Sequence, residues 1–192
     1  MKKYKGLIIV SSIVVLLPML LGLILWNRLP DTMVTHWGAE GAADGAMGKA
    51  FAVFLIPVIC LALHLICVFF TLMDKKNKEQ NPKVVSICFW IIPIISLLCN
   101  GYIYAFALDS QFNMLMLGTM SFMGVVFILF GNYLPKCKPN RTIGIKVIWA
   151  LRNEENWVKT HRFAGKTWVL AGVLFLLSLA VPGIVGMVVK AV

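Results

Sequence analysis

Three polar side chains in a glycine-rich stretch have the residue types and the spacing of a metal site. His36, Glu40 and Asp44 recur at intervals of four residues. On a helix they would share one face and could offer a metal ion three ligands. Four glycines in the same stretch argue against a regular helix. We therefore favour a compact loop whose polar groups pair locally, and we keep a metal site formed by these three residues as the weaker alternative.

A second polar cluster has enough chemical types for an acid–base or phosphate site. It comprises Arg152, Glu154, Glu155, His161 and Arg162. The sequence contains no nucleophile motif, P-loop, His-Glu-x-x-His or Cys-x-x-Cys pattern that would give such a cluster a reaction. Its composition favours anchoring at a membrane surface over a specific binding site. We expect a binding protein that needs no cofactor, not an enzyme, and we predict no catalytic residue.

His64 lies inside a long apolar stretch. An ionisable residue at membrane depth is first considered functional, but a lone histidine can also hydrogen-bond across a helix interface. No carboxylate lies inside any of the predicted spans, so a proton relay would have no second member. We favour the structural interpretation.

The composition indicates a membrane protein. Of 192 residues, 60% are hydrophobic and only 14% are charged, whereas soluble domains are near half apolar and a quarter charged. Five stretches have the roughly 20 apolar residues that cross a hydrocarbon core of about 30 Å. They are residues 6–26, 50–73, 84–108, 112–130 and 167–189. We predict an all-α integral membrane protein, a bundle of about five transmembrane helices.

The positive charges indicate the orientation of these spans. If the N-terminus is cytoplasmic, 15 of the 18 Lys and Arg residues lie on the cytoplasmic side. Cytoplasmic loops carry such an excess, so we predict a multi-pass protein with its N-terminus inside. The net charge of +10 then reports topology, and no direct contact with nucleic acid is expected.

The chain divides into five parts on this interpretation. They are residues 1–26, the first span; 27–49, an outer His-Trp and glycine loop; 50–130, spans two to four; 131–166, a basic cytoplasmic segment; and 167–192, the fifth span. The charged connector at residues 74–83 between spans two and three is predicted to be solvated.

The basic segment, residues 131–166, holds eight Lys and Arg residues. Pro135 and Pro139 break any helix that leaves span four. Asn153, followed by two glutamates, is typical of a helix start.

Other side chains of this segment indicate contact with the membrane surface. Trp149 and its aliphatic neighbours, with Lys146, fit a stretch lying among anionic lipid headgroups. Trp157 and Trp168 are predicted to be interfacial anchors.

Motifs in the basic segment and the outer loop resemble one known family. In the basic segment they are Gly131-Asn132-Tyr133-Leu134-Pro135, Pro139-Asn140, Ile143-Gly144-Ile145, Trp149-Ala150-Leu151 and Trp157-x-x-Thr160-His161-Arg162-Phe163-Ala164-Gly165-Lys166. This pattern is similar to the signature of the Sdp immunity family, the SdpI/YfhL group. In the outer loop Leu29-Pro30, His36-Trp37, Gly41, Asp44-Gly45 and Lys49 resemble the small extracytoplasmic module of unknown function that precedes this signature. One departure is Lys146, which stands where the family usually has arginine.

The resemblance implies a bacterial inner-membrane protein that gives immunity to a secreted, membrane-active peptide toxin. It also implies a signalling receptor that holds a transcriptional repressor at the membrane. The toxin-facing candidates are His36, Trp37, Glu40 and Asp44, and the candidates for binding a cytoplasmic partner are Asn140, Arg141, Trp149, Glu155, Trp157, His161, Arg162 and Lys166. The alternatives are a small transporter, or a metal-dependent membrane enzyme that uses His36, Glu40 and Asp44.

Overall fold

A computed structural model of the protein describes residues 2–38, 42–108 and 112–180. Its main elements are α1 (Lys5–Ile24), β1 (Thr32–Trp37), β2 (Ala43–Gly48), α2 (Ile56–Met73), α3 (Pro82–Ala107), α4 (Phe112–Tyr133), α5 (Ile148–Arg152) and α6 (Glu154–Ala180). A π-helical turn, Phe51–Leu55, leads directly into α2, and short 3-10 turns cover Lys75–Glu79 and Leu134–Lys136.

Three of the helices are long and apolar enough to cross a membrane. They are Lys5–Ile24, Phe51–Met73 and Pro82–Ala107. The protein is therefore a mostly helical membrane protein. The predicted fourth span falls within α4, and the predicted fifth span begins inside α6, which the structure describes as far as Ala180. The count of five spans remains a prediction.

The glycine-rich loop forms a β-hairpin, so the expectation of an all-α protein is wrong at this point. β1 and β2 pair antiparallel, with Thr32 opposite Gly48 and Trp37 opposite Ala43. Glycines permit the close pairing. A Cβ atom on Gly45 would lie 2.9 Å from the Cβ of His36, which it faces. His36 and Asp44, eight residues apart, therefore come together because they lie on paired strands, not on one face of a helix.

Lys49 fastens the base of the hairpin to the end of α1. Its Nζ forms an ion pair with Asp31 Oδ1 at 3.1 Å and donates to the carbonyl of Leu29 at 2.9 Å. The same ammonium lies 5.3 Å from the ring centroid of Trp26. Its backbone N–H donates to the carbonyl of Asp31 at 2.8 Å. The hairpin is thus held against the helices and is not a free loop.

Buried polar side chains join α1, α2 and α3. The Ser11 hydroxyl and Nε2 of His64 lie 3.0 Å apart, which fits the structural role predicted for this histidine. Ser96 donates to the carbonyl of Val15 at 2.9 Å, and Tyr104 donates to the carbonyl of Pro18 at 2.9 Å. Such bonds satisfy polar groups in an apolar setting and fix the rotation of each helix.

Helices α4 and α6 pack closely because glycines meet at their interface. A Cβ on Gly131 would lie 2.8 Å from the carbonyl oxygen of Gly165, and one on Gly172 would lie 2.6 Å from that of Gly124. In each helix the two glycines are seven residues apart, so they lie on one face of that helix. Small residues of this kind let helix backbones approach in a membrane.

The bundle therefore has two ends of different character. We call the end that carries β1 and β2 the hairpin end. The opposite end brings together the start of α1, the 74–81 connector and the segment 131–166, and we call it the basic end because of its lysines and arginines.

Candidate functional site

A groove of about 490 Å³ lies between the hairpin and the helices. Its lining comes from β1, from α3 and from one α4 side chain, and comprises Thr35, His36, Trp37, Ile95, Leu98, Cys99, Tyr102, Ile103 and Met123. We call this the hairpin groove. Most of its wall is apolar, with a histidine and a tryptophan at the hairpin side.

Aromatic contacts with α3 fix the position of Trp37. Its ring meets Tyr102 edge-on with 4.7 Å between the centroids, and Phe106 edge-on with 5.4 Å. Edge-to-face pairs of this kind stabilise by roughly 0.5–1.5 kcal/mol beyond burial. The indole is therefore held rigidly against α3 before any ligand arrives.

His36 and Asp44 form an exposed pair beside the groove. His36 Nδ1 donates to Asp44 Oδ1 at 2.5 Å, and the two side chains are 72% and 50% exposed. The structure thus brings together three predicted toxin-facing residues, His36, Trp37 and Asp44. The fourth, Glu40, lies outside the described residues. Within residues 2–38, 42–108 and 112–180, no group of three His, Cys, Asp or Glu could hold a metal ion.

At the basic end Asn140 shapes the turn predicted after Pro139. Its Oδ1 accepts from the backbone N–H of Thr142 at 2.8 Å and of Ile143 at 2.5 Å. Its Nδ2 donates to the carbonyls of Ile143 and Lys138, each at 2.8 Å. A single buried amide therefore replaces the backbone pairing that a helix or sheet would supply.

The connector at residues 74–81 holds this turn in place. Its charged residues Lys75, Lys76, Lys78 and Glu79 are exposed, as predicted for a solvated connector, but the prediction is wrong at the buried Asn77 and Gln80. Gln80 Nε2 donates to the carbonyl of Lys138 at 2.6 Å, and its Oε1 accepts from the N–H of the same residue at 2.9 Å. Asn77 donates to Thr142 Oγ1 at 2.6 Å, and Asp74 Oδ2 accepts from the N–H of Arg141 at 2.7 Å.

Trp157 is buried beneath the turn, so its predicted role as an interfacial anchor is wrong. The residue is 1% exposed and its indole N–H donates to the carbonyl of Cys137 at 2.8 Å. Its ring stacks on His161 with 4.1 Å between the centroids.

The helix start predicted at Asn153 is confirmed, since Asn153 Oδ1 accepts from the N–H of Asn156 at 2.7 Å and α6 begins at the next residue.

Both ring nitrogens of His161 are engaged. Nε2 accepts from the backbone N–H of Ile145 at 3.0 Å, which leaves Nδ1 to donate to the carbonyl of Trp157 at 2.8 Å. This geometry requires the neutral ring. Burial lowers the pKa of His161, opposed by the hydrogen bond to Trp157 and reinforced by the charge of Lys146.

Gly144 lets the backbone reach His161. Its φ angle is +105°, where side chains are rarely tolerated. A Cβ atom there would collide with Nε2 of His161 and would lie 3.2 Å from the Trp157 ring. The glycine of the Ile-Gly-Ile motif is therefore needed for the backbone to lie against the imidazole of His161.

The ammonium of Lys146 bonds to the turn although the residue is exposed, and its contact with lipid headgroups stays a prediction. Its Nζ donates to the carbonyls of Asn140 at 2.7 Å and Ile143 at 3.1 Å, and it lies 4.7 Å from the ring centroid of Trp157. Desolvation by burial lowers the pKa of this amine. A lysine suffices here because the acceptors are separate carbonyl groups. Arginine would be favoured if the acceptor were a carboxylate, which the planar guanidinium binds through two parallel hydrogen bonds.

Comparison with known proteins matches these two regions. Residues 136–192 match the SdpI/YfhL protein family. The resemblance to the SdpI/YfhL family is confirmed. Residues 13–61, which include the whole hairpin, match a domain of unknown function, DUF1648. The chain is also 26% identical over 164 residues to the Immunity protein SdpI of Bacillus subtilis (strain 168), covering 85% of this chain and 77% of that protein. No solved structure matches it significantly.

The structure divides the predicted partner-binding residues of the basic segment into two groups. Asn140, Trp157 and His161 are buried and build the turn. The other five, Arg141, Trp149, Glu155, Arg162 and Lys166, are exposed. Trp149 is 58% exposed between similarly exposed aliphatic side chains of α5, and Glu155 pairs with Lys159 at 2.6 Å.

Sequence reasoning missed the residues that bind this segment from the connector. Asp74, Asn77 and Gln80 recur every three residues within one short polar stretch. That spacing could have indicated a 3-10 turn with one polar face. Nothing in the sequence alone indicated which partner that face meets.

Proposed function

We propose that this protein protects a bacterial cell against a secreted, membrane-active peptide toxin, and that the hairpin groove binds the toxin. The observation that supports this most strongly is the similarity to an immunity protein over 85% of the chain. The SdpI/YfhL match at the basic end adds support from a second region. The role is binding without turnover, so no reaction chemistry is needed.

The distribution of charge supports an orientation in which toxin reaches the groove from outside. Fifteen of the 18 Lys and Arg residues belong to the segments gathered at the basic end or to the N-terminus. An excess of this kind is typical of the cytoplasmic side. We therefore place the N-terminus in the cytoplasm, the protein in the inner membrane, and the hairpin on the outer face.

The hairpin groove has the chemistry to hold an apolar peptide. Ile95, Leu98 and Ile103 offer it an aliphatic wall on α3, while the fixed indole of Trp37 offers a rigid aromatic edge. Rigid aromatic groups bind at a low cost in conformational entropy. The exposed His36–Asp44 pair supplies polar contacts at the rim. A peptide kept here is withheld from the surrounding lipid, which is how binding alone would protect.

We propose a second, signalling role at the basic end, where a cytoplasmic repressor would bind. The supporting observation is that Trp149, Arg141 and Arg162, all in the basic segment, are exposed. Tryptophan and arginine are the residues most enriched where binding energy concentrates.

Direct binding tests the toxin-binding role. The purified full-length protein in nanodiscs would be titrated with an Sdp-type peptide toxin, and so would the His36→Ala/Trp37→Ala double variant. We expect the double variant to bind at least about tenfold more weakly, since a buried aromatic contact of this kind contributes roughly 2 kcal/mol or more.

The matched control is Trp149→Ala, which removes an exposed tryptophan at the opposite end and should bind the toxin like the wild type. Unchanged binding by the double variant would remove the hairpin groove from the proposal. No binding by the wild-type protein would remove toxin capture altogether.

A further inference from the structure

A second cavity, of about 200 Å³, lies at the basic end between α3, α4, α6 and the 131–166 segment. Its lining includes Val84, Ile87, Ile91, Phe130, Ile145 and Trp168. It is separate from the hairpin groove, which lies toward the other end of α3. The proposed toxin-binding role makes no use of it.

The cavity is built for an apolar occupant. Its wall is almost wholly aliphatic and aromatic, and an apolar cavity of about 150 Å³ stays dry and takes up apolar molecules. Ordered water is not expected in this cavity, because its walls offer few polar groups for hydrogen bonding.

Three exposed lysines are sequence neighbours of residues that line the same cavity. Lys83 directly precedes Val84, which lines it, and Lys136 and Lys138 flank Cys137, which also lines it. The Lys136 ammonium lies 4.6 Å from the ring centroid of Tyr133, another lining residue. Two hydrogen bonds between Gln80 and Lys138, one donated and one accepted by the Gln80 amide, fix the backbone of Lys138. The fold therefore fixes the backbone at Lys138 and places the Lys136 ammonium against a residue that lines the cavity.

The cavity also lies at the depth where lipid headgroups meet acyl chains. α3 begins at Pro82, just before the first lining residue, so the cavity is at the very end of a membrane-spanning helix. Trp168, packed edge-on against Phe127 with 5.4 Å between the centroids, is the kind of residue enriched at this level. We therefore place one side of the cavity toward hydrocarbon and the lysines toward the charged membrane surface.

We propose that this cavity is a binding site for an anionic phospholipid. One acyl chain fills the apolar space, and the headgroup phosphate lies among Lys83, Lys136 and Lys138. An anionic lipid is the partner that matches both features, since an apolar peptide would leave the lysines unmatched. Basic pockets between membrane helices bind anionic headgroups on the cytoplasmic side.

Native mass spectrometry of the full-length protein tests this site. Phosphatidylglycerol or phosphatidylcholine with identical acyl chains would be added to the protein in detergent. We expect one phosphatidylglycerol to be retained preferentially. The triple variant Lys83→Gln/Lys136→Gln/Lys138→Gln should lower that retention by about tenfold or more, since each lysine contributes attraction to an anionic surface. The control Lys75→Gln/Lys76→Gln/Lys78→Gln removes the same charge at the same end and should bind like the wild type.

Filling the cavity gives an independent test. Cys88→Phe places a ring in the apolar space and should lower retention of phosphatidylglycerol, whereas Cys60→Phe, on α2 and away from the cavity, should not. Equal retention of the two lipids by the wild type, or equal losses in the two lysine triples, would overturn the proposal. If Cys88→Phe fails to fold, the lysine triples still decide the question.

Discussion

At the scale of single residues, the buried imidazole of His161 organises the basic end. It receives the backbone N–H of Ile145, stacks on Trp157 and leaves no room for a side chain at Gly144. Since only the neutral ring can accept this hydrogen bond, a proton on Nε2 would displace the Ile-Gly-Ile stretch from it.

A dependence of stability on pH follows from this residue. Burial lowers the pKa of His161 below its ordinary value of 6.5. As the pH falls through about 6.5, the unfolded chain takes up a proton that the folded chain refuses, so the contribution present above this pH is progressively lost below it. We expect the unfolding temperature of the wild type to fall more steeply between pH 7.5 and 5 than that of His161→Gln.

His36 and His64 are present in both proteins, so their titration cancels in the comparison. Parallel pH profiles for the wild type and His161→Gln, measured by thermal unfolding in detergent, would show that the imidazole is not held neutral by the fold.

At the scale of elements, the 74–81 connector holds the turn around Asn140 in place through hydrogen bonds to its backbone. Gln80 satisfies both the N–H and the carbonyl of Lys138 and is 4% exposed. Gln80→Ala would leave these backbone groups without that partner, at a cost of roughly 1–3 kcal/mol each if they stay dry. We expect its unfolding temperature to drop by several degrees.

The matched control for Gln80→Ala is Glu79→Ala, which truncates an exposed neighbour on the same 3-10 turn. It should change the free energy of unfolding by no more than about 0.5 kcal/mol. Equal thermal stability of Gln80→Ala and Glu79→Ala would mean that the connector does not hold the segment.

The elements also show what the sequence could predict. Apolar length indicated the helices, and prolines and the Asn153 cap indicated where helices end and begin, because these signals are local. Strand pairing of the glycine-rich loop was missed because its register depends on contacts across the hairpin and with α3. The burial of Trp157 and the hydrogen bonds of Lys146 to the turn were missed for a similar reason, since their partners are distant in sequence or lie in an irregular turn.

At the scale of the whole molecule, one face of α3 connects the two ends. Val84, Ile87 and Ile91 line the basic-end cavity, and Ile95, Leu98 and Tyr102 line the hairpin groove. These positions follow at intervals of three and four residues, so they form a single stripe along the helix. A ligand in the hairpin groove would therefore contact the same face of α3 that lines the basic-end cavity.

The two proposed roles should nevertheless be separable. Arg162 is exposed at the basic end, and Arg162→Ala should impair recruitment of a repressor to the membrane while leaving toxin resistance intact. Localisation of a fluorescent repressor, scored beside survival in the same cells, measures both. Loss of both properties at normal protein levels would show that the two surfaces do not act separately.

The most direct test of the central claim is survival. A toxin-sensitive bacterium expressing the full chain would be challenged with a purified Sdp-type peptide toxin, beside cells that express the His36→Ala/Trp37→Ala variant at the same level in the membrane. We predict that the wild-type chain protects and that the double variant does not. Death of the cells that express the wild-type chain, with its membrane expression verified, would contradict the account.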